Sequence, residues 1–397
     1  MEMDCKTSLT PEQYFIISRL SDHLNNTETC TPEETYDWCS LASIAKSHEI
    51  SGILYRQCRE YVPKELKEEL KRKFGFTLAQ YAKRQEEEKR INSALNEKRI
   101  SHFFIKGSAV AAFYPFPALR TMGDSDLVIH GEDRGSVDAI LKQLGFICVS
   151  KDNYQKQALK LEVHDHLVHV GSIVSCEMAE FFKTVWDYVE DGKLDWSFHF
   201  LFLLVHLRSH FAGSGVGLRQ FMDLAVIMKN DPGLDWRWIQ ARLTAFDLLP
   251  FAKNVFALNE KWFSVKSPID TSDIQDSFLD EATDFILRNG VFGSKNEENR
   301  AGYLARDHAD ARFPVFYMLR NACGKVFIPY HYMITMPQYA FLKGRPYLLP
   351  AAWFYRGYYT IRTKGTKLPV HALRSSFTTN DAIQRRAELL KKWGIRG

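Results

Sequence analysis

Two stretches decide how this chain is read: Phe103-Phe104-Ile105-Lys106-Gly107-Ser108 and Arg120-Thr121-Met122-Gly123-Asp124-Ser125-Asp126-Leu127-Val128-Ile129. In the first, an apolar run follows a charged segment and stops at Lys-Gly-Ser, the pattern of a buried strand entering a turn. In the second, two aspartates open another apolar run, Asp126 to Ile129, which reads as a second strand. Between them, Ala109 to Tyr114 reads as a short helix broken by Pro115-Phe116-Pro117.

Further along, Glu132 to Leu144 is a helix closed by Gly145, and Phe146 to Val149 is a third strand. Gln157 to Leu167 alternates as a fourth, with Leu159, Leu161 and Val163 on one face and Lys160, Glu162 and His164 on the other. The expected fold is therefore α+β, a small mixed β-sheet core of Gly-Ser, Asp-x-Asp and an acidic strand embedded in a largely helical protein.

The flanks are helical. Thr10-Pro11-Glu12 has the form of a helix start, with Thr10 as the cap. Leu41, Ile44, Ala45 and His48 recur at helical spacing. Pro63 to Glu97 is rich in Lys, Glu, Gln, Leu and Ala, and Leu66, Leu70, Phe74 and Leu78 share one face. Helices resume from Glu177, at Phe200–Phe211, Leu218–Met228, Trp236–Ala245 and Ile274–Leu287. Residues 289–312 read as a loop, followed by an aromatic-rich tail. Four regions follow: an N-terminal helical region 1–97, an α/β core 98–175, a helical region 176–288, and a loop with C-terminal helical tail 289–397.

Composition sets the limits. The 397 residues are 45% hydrophobic and 25% charged, which excludes a disordered or collagenous chain. The net charge of +4 and the lack of a basic stripe argue against nucleic acid as a partner. Seven scattered cysteines form no C-x-x-C pair, so neither a zinc site nor a thiol redox motif is expected, and a reducing cytoplasm fits. The first ten residues hold Asp4 and Lys6 and no apolar run, so no signal peptide is expected. Val326 to Leu342 is uncharged but contains Pro329 and Pro337, and is shorter than the roughly 20 residues a membrane span needs. No transmembrane segment is expected.

The chemistry lies in the quoted stretches. A glycine after a strand lets a ligand approach the backbone, and free amides at a helix start favour an anion. Gly107 and Ser108 therefore suit a phosphate, and Lys106 and Arg120 are candidate cations for phosphate oxygens or a leaving pyrophosphate. Residues i and i+2 of a strand share a face, so Asp124 and Asp126 would converge, and two such carboxylates repel unless a cation lies between them. Hard oxygen ligands suit magnesium, with manganese as a substitute. A phosphate cradle beside paired aspartates suits two-metal nucleotidyl transfer from an NTP. Glu162 is the expected third carboxylate, holding metal and acting as base. Asp165 is the runner-up, on the opposite strand face.

These residues resemble an uncharacterised bacterial nucleotidyltransferase family of the DNA polymerase beta-like superfamily. The likeness runs through Ile105-Lys106-Gly107-Ser108, Tyr114, Arg120, Gly123-Asp124-Ser125-Asp126 and Leu144-Gly145-Phe146. It continues in Leu161-Glu162-Val163-His164, and helices around His206–His210 and Gly217–Leu224 resemble the family's helical portion. The chain departs from the pattern in a longer Pro-Phe-Pro loop and in Glu162, where Asp is commoner. The resemblance implies NMP transfer from an NTP to a small-molecule, glycan or protein acceptor. A non-catalytic nucleotide-binding or scaffold protein on the same fold is the alternative.

Other polar residues have plainer readings. His206 and His210 lack a third ligand and read as core or pocket histidines. Arg219 and Asp223, four apart, read as a pair on their helix, with a place in an acceptor or base pocket as the alternative. His164, His166 and His169 read as hydrogen-bonding support for the carboxylates. The aromatics from Trp353 to Tyr359 read as core, and Arg356 and Lys364 beside them keep peripheral membrane contact as the second reading.

Overall fold

The computed structural model describes residues 9–27, 35–150, 152–167, 176–213, 215–291, 323–324, 326–334, 337–364 and 380–395. Helix α1 (Pro11–Asn25) starts as its sequence requires: the Thr10 hydroxyl accepts from the Gln13 amide, and the Gln13 side chain accepts from the Thr10 amide. Helices α2 (Trp38–Ser47) and α3 (Ser51–Cys58) follow. The long α4 (Lys64–Glu97) buries Leu70 and half-buries Leu66, Phe74 and Leu78 on the expected face.

The sheet comprises β1 (His102–Ile105), β2 (Ser125–Ile129), β3 (Ile147–Cys148), β4 (Asn153–Lys156) and β5 (Leu159–His164). Its order is β1-β2-β5-β4-β3. β2 and β5 are parallel and the other pairs antiparallel. The expected strand from Gln157 to Leu167 is shorter, and β4 precedes it as a hairpin partner. The strand expected at Phe146–Val149 shrinks to an exposed two-residue edge. Between β1 and β2 lies the short α5 (Gly107–Val110), and α6 (Arg134–Gln143) follows β2.

Alternation along the strands assigns the two faces. Leu127, Ile129, Leu161 and Val163 pack with Ile91 and Leu95 of α4 and with Val137 and Leu141 of α6. Phe103, Ile105 and Val128 turn the other way and join the main core. That core draws on helices from before and after the sheet. It includes α7 (Cys176–Lys183), the buried α8 (Trp196–Gly213), α9 (Leu218–Asn230), α10 (Trp236–Ala245), α11 (Leu249–Phe263) and α12 (Asp276–Asn289). A two-stranded ribbon, β6 (Val189–Glu190) with β7 (Lys193–Leu194), leads into α8. The sheet thus lies between α4 and α6 on one face and the α8–α9 layer on the other.

The tail contributes α13 (Tyr330–Met333), α14 (Leu349–Lys364) and α15 (Asn380–Lys392). Near α15, Ile383, Leu390 and Trp393 return to the main core. Met333, Tyr339, Leu342 and Ala352 form a separate small cluster. The loop expected at 289–312 falls almost wholly outside the described residues, as does His169. Among the described residues, no helix is long and apolar enough to cross a membrane.

Candidate active site

The two expected strands meet in register. Asp126 of β2 stands opposite Glu162 of β5, and Val128 opposite His164. Because these strands are parallel neighbours, Asp126, Glu162 and His164 project from the same face, toward α8. His164 Nε2 lies 2.8 Å from Asp126 Oδ1 and 3.8 Å from Glu162 Oε2. One ligand atom from each of the three falls within 4.8 Å of the others. An ionised carboxylate only accepts, so His164 donates its Nε2 proton to Asp126.

Lys106 completes this group. Its backbone adopts φ 53° and ψ −125°, a region costly for a residue with a Cβ. The surrounding contacts hold it there: Lys106 N–H donates to His199 Nε2 on α8 at 3.0 Å, and its Nζ reaches Asp126 Oδ1 at 2.7 Å. Burial pushes the Asp126 carboxyl up, but Lys106 and His164 outweigh that and hold it well below the usual carboxylate range. Glu162 differs. Burial raises its carboxyl, His164 opposes, and the charges of Asp126 and Asp124 reinforce the rise.

A cavity of about 500 Å³ opens beside these residues, between the sheet edge and α8–α9. Asp124, Asp126 and Glu162 line it, as do Lys106, Gly107 and Arg120. Asp124 is exposed in the segment before β2, at the cavity mouth rather than inside the tight group. Asp165 is not among the lining residues. His206 and His210 face the cavity from α8, and burial pushes both imidazoles below their usual range, with Lys106 adding to it.

Ser108, an expected phosphate contact, is otherwise engaged. The Ser108 hydroxyl donates to Glu88 Oε1 on α4 at 2.6 Å, and Ser125 on the same strand face as Leu127 donates to the same oxygen at 2.6 Å. Arg84 Nη1 donates to Ser125 Oγ at 2.7 Å. Ser108 therefore ties the turn to α4 and does not line the cavity.

Arg120 is buried and forks onto Asp223 of α9, Nε to Oδ1 at 3.1 Å and Nη2 to Oδ2 at 2.5 Å. Tyr114 also donates to Asp223 Oδ1, at 2.7 Å. A Cβ on Gly107 would collide with the Arg120 guanidinium and come within 2.9 Å of Met122 Cγ, so this turn needs glycine to pass.

The pairing expected between Arg219 and Asp223 is corrected. Arg219 Nη1 donates instead to Glu49 Oε2 at 2.9 Å and to the Thr121 carbonyl at 2.8 Å, and its Nε is buried without a partner. Arg before Asp is the weaker order for an i, i+4 helix pair. Asp223 is also the deeper residue, where the planar fork of Arg120 satisfies both of its oxygens. Glu49, Glu88 and His199, which complete the surroundings, went unremarked in the sequence, whereas Lys160 lies on the expected polar strand face and lines the cavity. Glu88 sits in a run of three glutamates, two of them buried, and nothing local marks the one that meets Ser108 and Ser125.

The model of a family described as uncharacterised nucleotidyltransferase matches residues 34–264, a span that holds all five strands of the sheet and α8 to α11. No curated protein and no solved structure matches the chain.

Proposed function

Since the chain belongs to this family of uncharacterised nucleotidyltransferases, we propose that its cavity transfers a nucleoside monophosphate from an NTP to a hydroxyl-bearing acceptor and releases pyrophosphate. The observation that carries this reading is the side-by-side register of Asp126 and Glu162 facing a cavity that Asp124 also lines. A small molecule, a glycan or a protein side chain would supply the hydroxyl.

The donor set fits divalent metal. Carboxylate oxygens from adjacent strands converge, and such a pair is stable only beside positive charge, a place Lys106 Nζ partly fills. Asp124, Asp126 and Glu162 would hold two magnesium ions, with manganese as a substitute. Bound there, the ions would neutralise phosphate charge and make the acceptor hydroxyl more acidic.

The chain's own residues account for the rest. His164 fixes the orientation of Asp126 through its Nε2 proton. Lys106 is already within reach of an anion at the carboxylates and would turn its ammonium to a phosphate oxygen. Glu162, with its raised carboxyl, would take the proton of the attacking hydroxyl. Arg219, which lines the cavity, would face the departing pyrophosphate. Arg120, locked on Asp223, would act by holding the Gly107 turn in place. Gly107 would let phosphate approach the backbone, with Ser108 anchoring that turn from behind.

The test is incubation with each NTP, magnesium and lysate fractions, followed by mass spectrometry for a product heavier by one NMP. The expected result is one nucleotide-dependent adduct, lost in Asp124→Ala. NTP-analogue binding that stabilises the protein without any adduct in any fraction would favour the non-catalytic alternative.

A further inference from the structure

The net charge of +4 conceals an uneven distribution. From Ala311 to Asn380 the chain has no Asp or Glu, yet it carries ten Lys and Arg and fifteen Phe, Tyr and Trp. The remaining residues are therefore net acidic, and the chain's net positive charge lies in this stretch.

Within the described part of that stretch, α14 carries aromatic rings on its outer face as well as on the inner one, where Leu349 and Trp353 pack on a small cluster. Ala352 is its buried residue, packed on the cluster of Met333, Tyr339 and Leu342. Phe354 and Tyr358, one turn apart, stand outward at 83% and 58% exposure, and Tyr347 just before the helix at 75%. Tyr355 and Phe341 extend the same patch, their rings 6.1 Å apart. Arg362 continues the stripe and donates to Tyr358 Oη at 3.1 Å, and exposed Lys343 and Arg345 flank it. A helix against a water-exposed surface normally turns aromatics inward and polar residues outward.

We propose that this face of α14 docks on an anionic membrane surface. Aromatic rings with polar tips settle at the headgroup level of a bilayer, and Phe354 would enter the acyl boundary beside them. Lys343, Arg345 and Arg362 would meet lipid phosphates, and the missing carboxylates remove the repulsion that an acidic leaflet would otherwise impose. The aromatics stand on the outer face of a helix, whereas single-stranded nucleic acid is held in a groove that tracks its backbone. This inference is independent of the chemistry proposed for the cavity.

The test uses the full chain and vesicle flotation, reading binding rather than turnover. Phosphatidylcholine vesicles with added phosphatidylglycerol should carry the protein, vesicles of phosphatidylcholine alone should not, and high salt should release it. Phe354→Ser with Tyr358→Ser, and separately Lys343→Gln with Arg345→Gln, should each weaken binding about tenfold or more. Tyr14→Ser, which alters an exposed aromatic on α1, should leave it unchanged. These are surface positions, and unchanged melting of the variants confirms that they fold. No flotation, equal flotation on both vesicle types, or capture by single-stranded RNA in place of vesicles would overturn the proposal.

Discussion

Asp126 Oδ1 accepts from Lys106 Nζ at 2.7 Å and from His164 Nε2 at 2.8 Å, so one carboxylate oxygen holds two donors brought from two different segments. Repulsion between two crowded aspartates would suggest that removing either one stabilises the protein without metal. The structure separates them. Asp126→Ala leaves the Lys106 ammonium, 18% exposed, without its partner. A cost of roughly 2–3 kcal/mol is expected, below that of a fully buried pair. Asp124→Ala, at an exposed site, should stay within about 0.5 kcal/mol. Both should abolish turnover. Denaturant melts of the two variants check the first contrast, and equal stabilities would count against the Lys106 pairing.

Asp223 carries the positioning network. Arg120 and Tyr114 both depend on it, and all three are buried. Asp223→Ala strands a buried guanidinium and should cost about 3–5 kcal/mol. Gly107→Ala should displace Arg120 from the same network and lower stability by a smaller amount. A thermal shift series with Asp223→Asn, which keeps one acceptor, should fall between wild type and Asp223→Ala.

Acid should destabilise the fold through neutral histidines. His199 Nε2 accepts from the Lys106 amide, and His48 accepts from the Leu218 amide while its Nε2 meets the Leu287 carbonyl. His23 is buried with both ring nitrogens unpartnered. Burial is the main cause that lowers each to about 4, against 6.5 in the unfolded chain. As pH falls below 6.5, the unfolded chain takes up protons that the folded one refuses. Stability should therefore be fully present above that value and decline down to about 4, by about 1.4 kcal/mol per pH unit for each histidine. Glu88, raised by burial, opposes this weakly at the acidic end. Melting temperature against pH should flatten in His48→Gln, and an unchanged slope would show that His48 is already charged in the fold.

Much of this arrangement was legible in the sequence because it is local. Apolar runs marked β1 and β2, and the alternation of Leu159, Leu161 and Val163 put Glu162 on the right face. The hairpin strand β4 was not legible. Asn153-Tyr154-Gln155-Lys156 buries only Tyr154, so no period-2 pattern exists. Helix α11 also escaped notice, although Pro250 fits its first turn. Partners far apart in the chain leave no spacing signal: Arg120 reaches Asp223 across 103 residues, and Ser108 reaches Glu88 on the opposite side of the sheet. A helical i, i+4 rule offered Arg219 a partner on its own helix, and the buried interior gave Asp223 a better one.

The division of labour between Glu162 and Asp165 is the sharpest test of the site. Glu162 is half-buried, faces the cavity and sits beside Asp126. Asp165 lies past the end of β5, its Cβ 3.7 Å from where a Cβ on Gly131 would stand. Glu162→Gln keeps the size and hydrogen-bonding reach but loses the charge and the basicity. If Glu162 takes the acceptor proton, its loss acts on the transition state, and kcat should fall by roughly 10²-fold or more. NTP affinity should change much less, because Asp124, Asp126 and Lys106 remain to hold metal and phosphate. Asp165→Asn should alter neither strongly. An essential Asp165 beside a dispensable Glu162 would mean that β5 pairs with β2 one residue out of the register seen here, which would turn Glu162 away from the cavity.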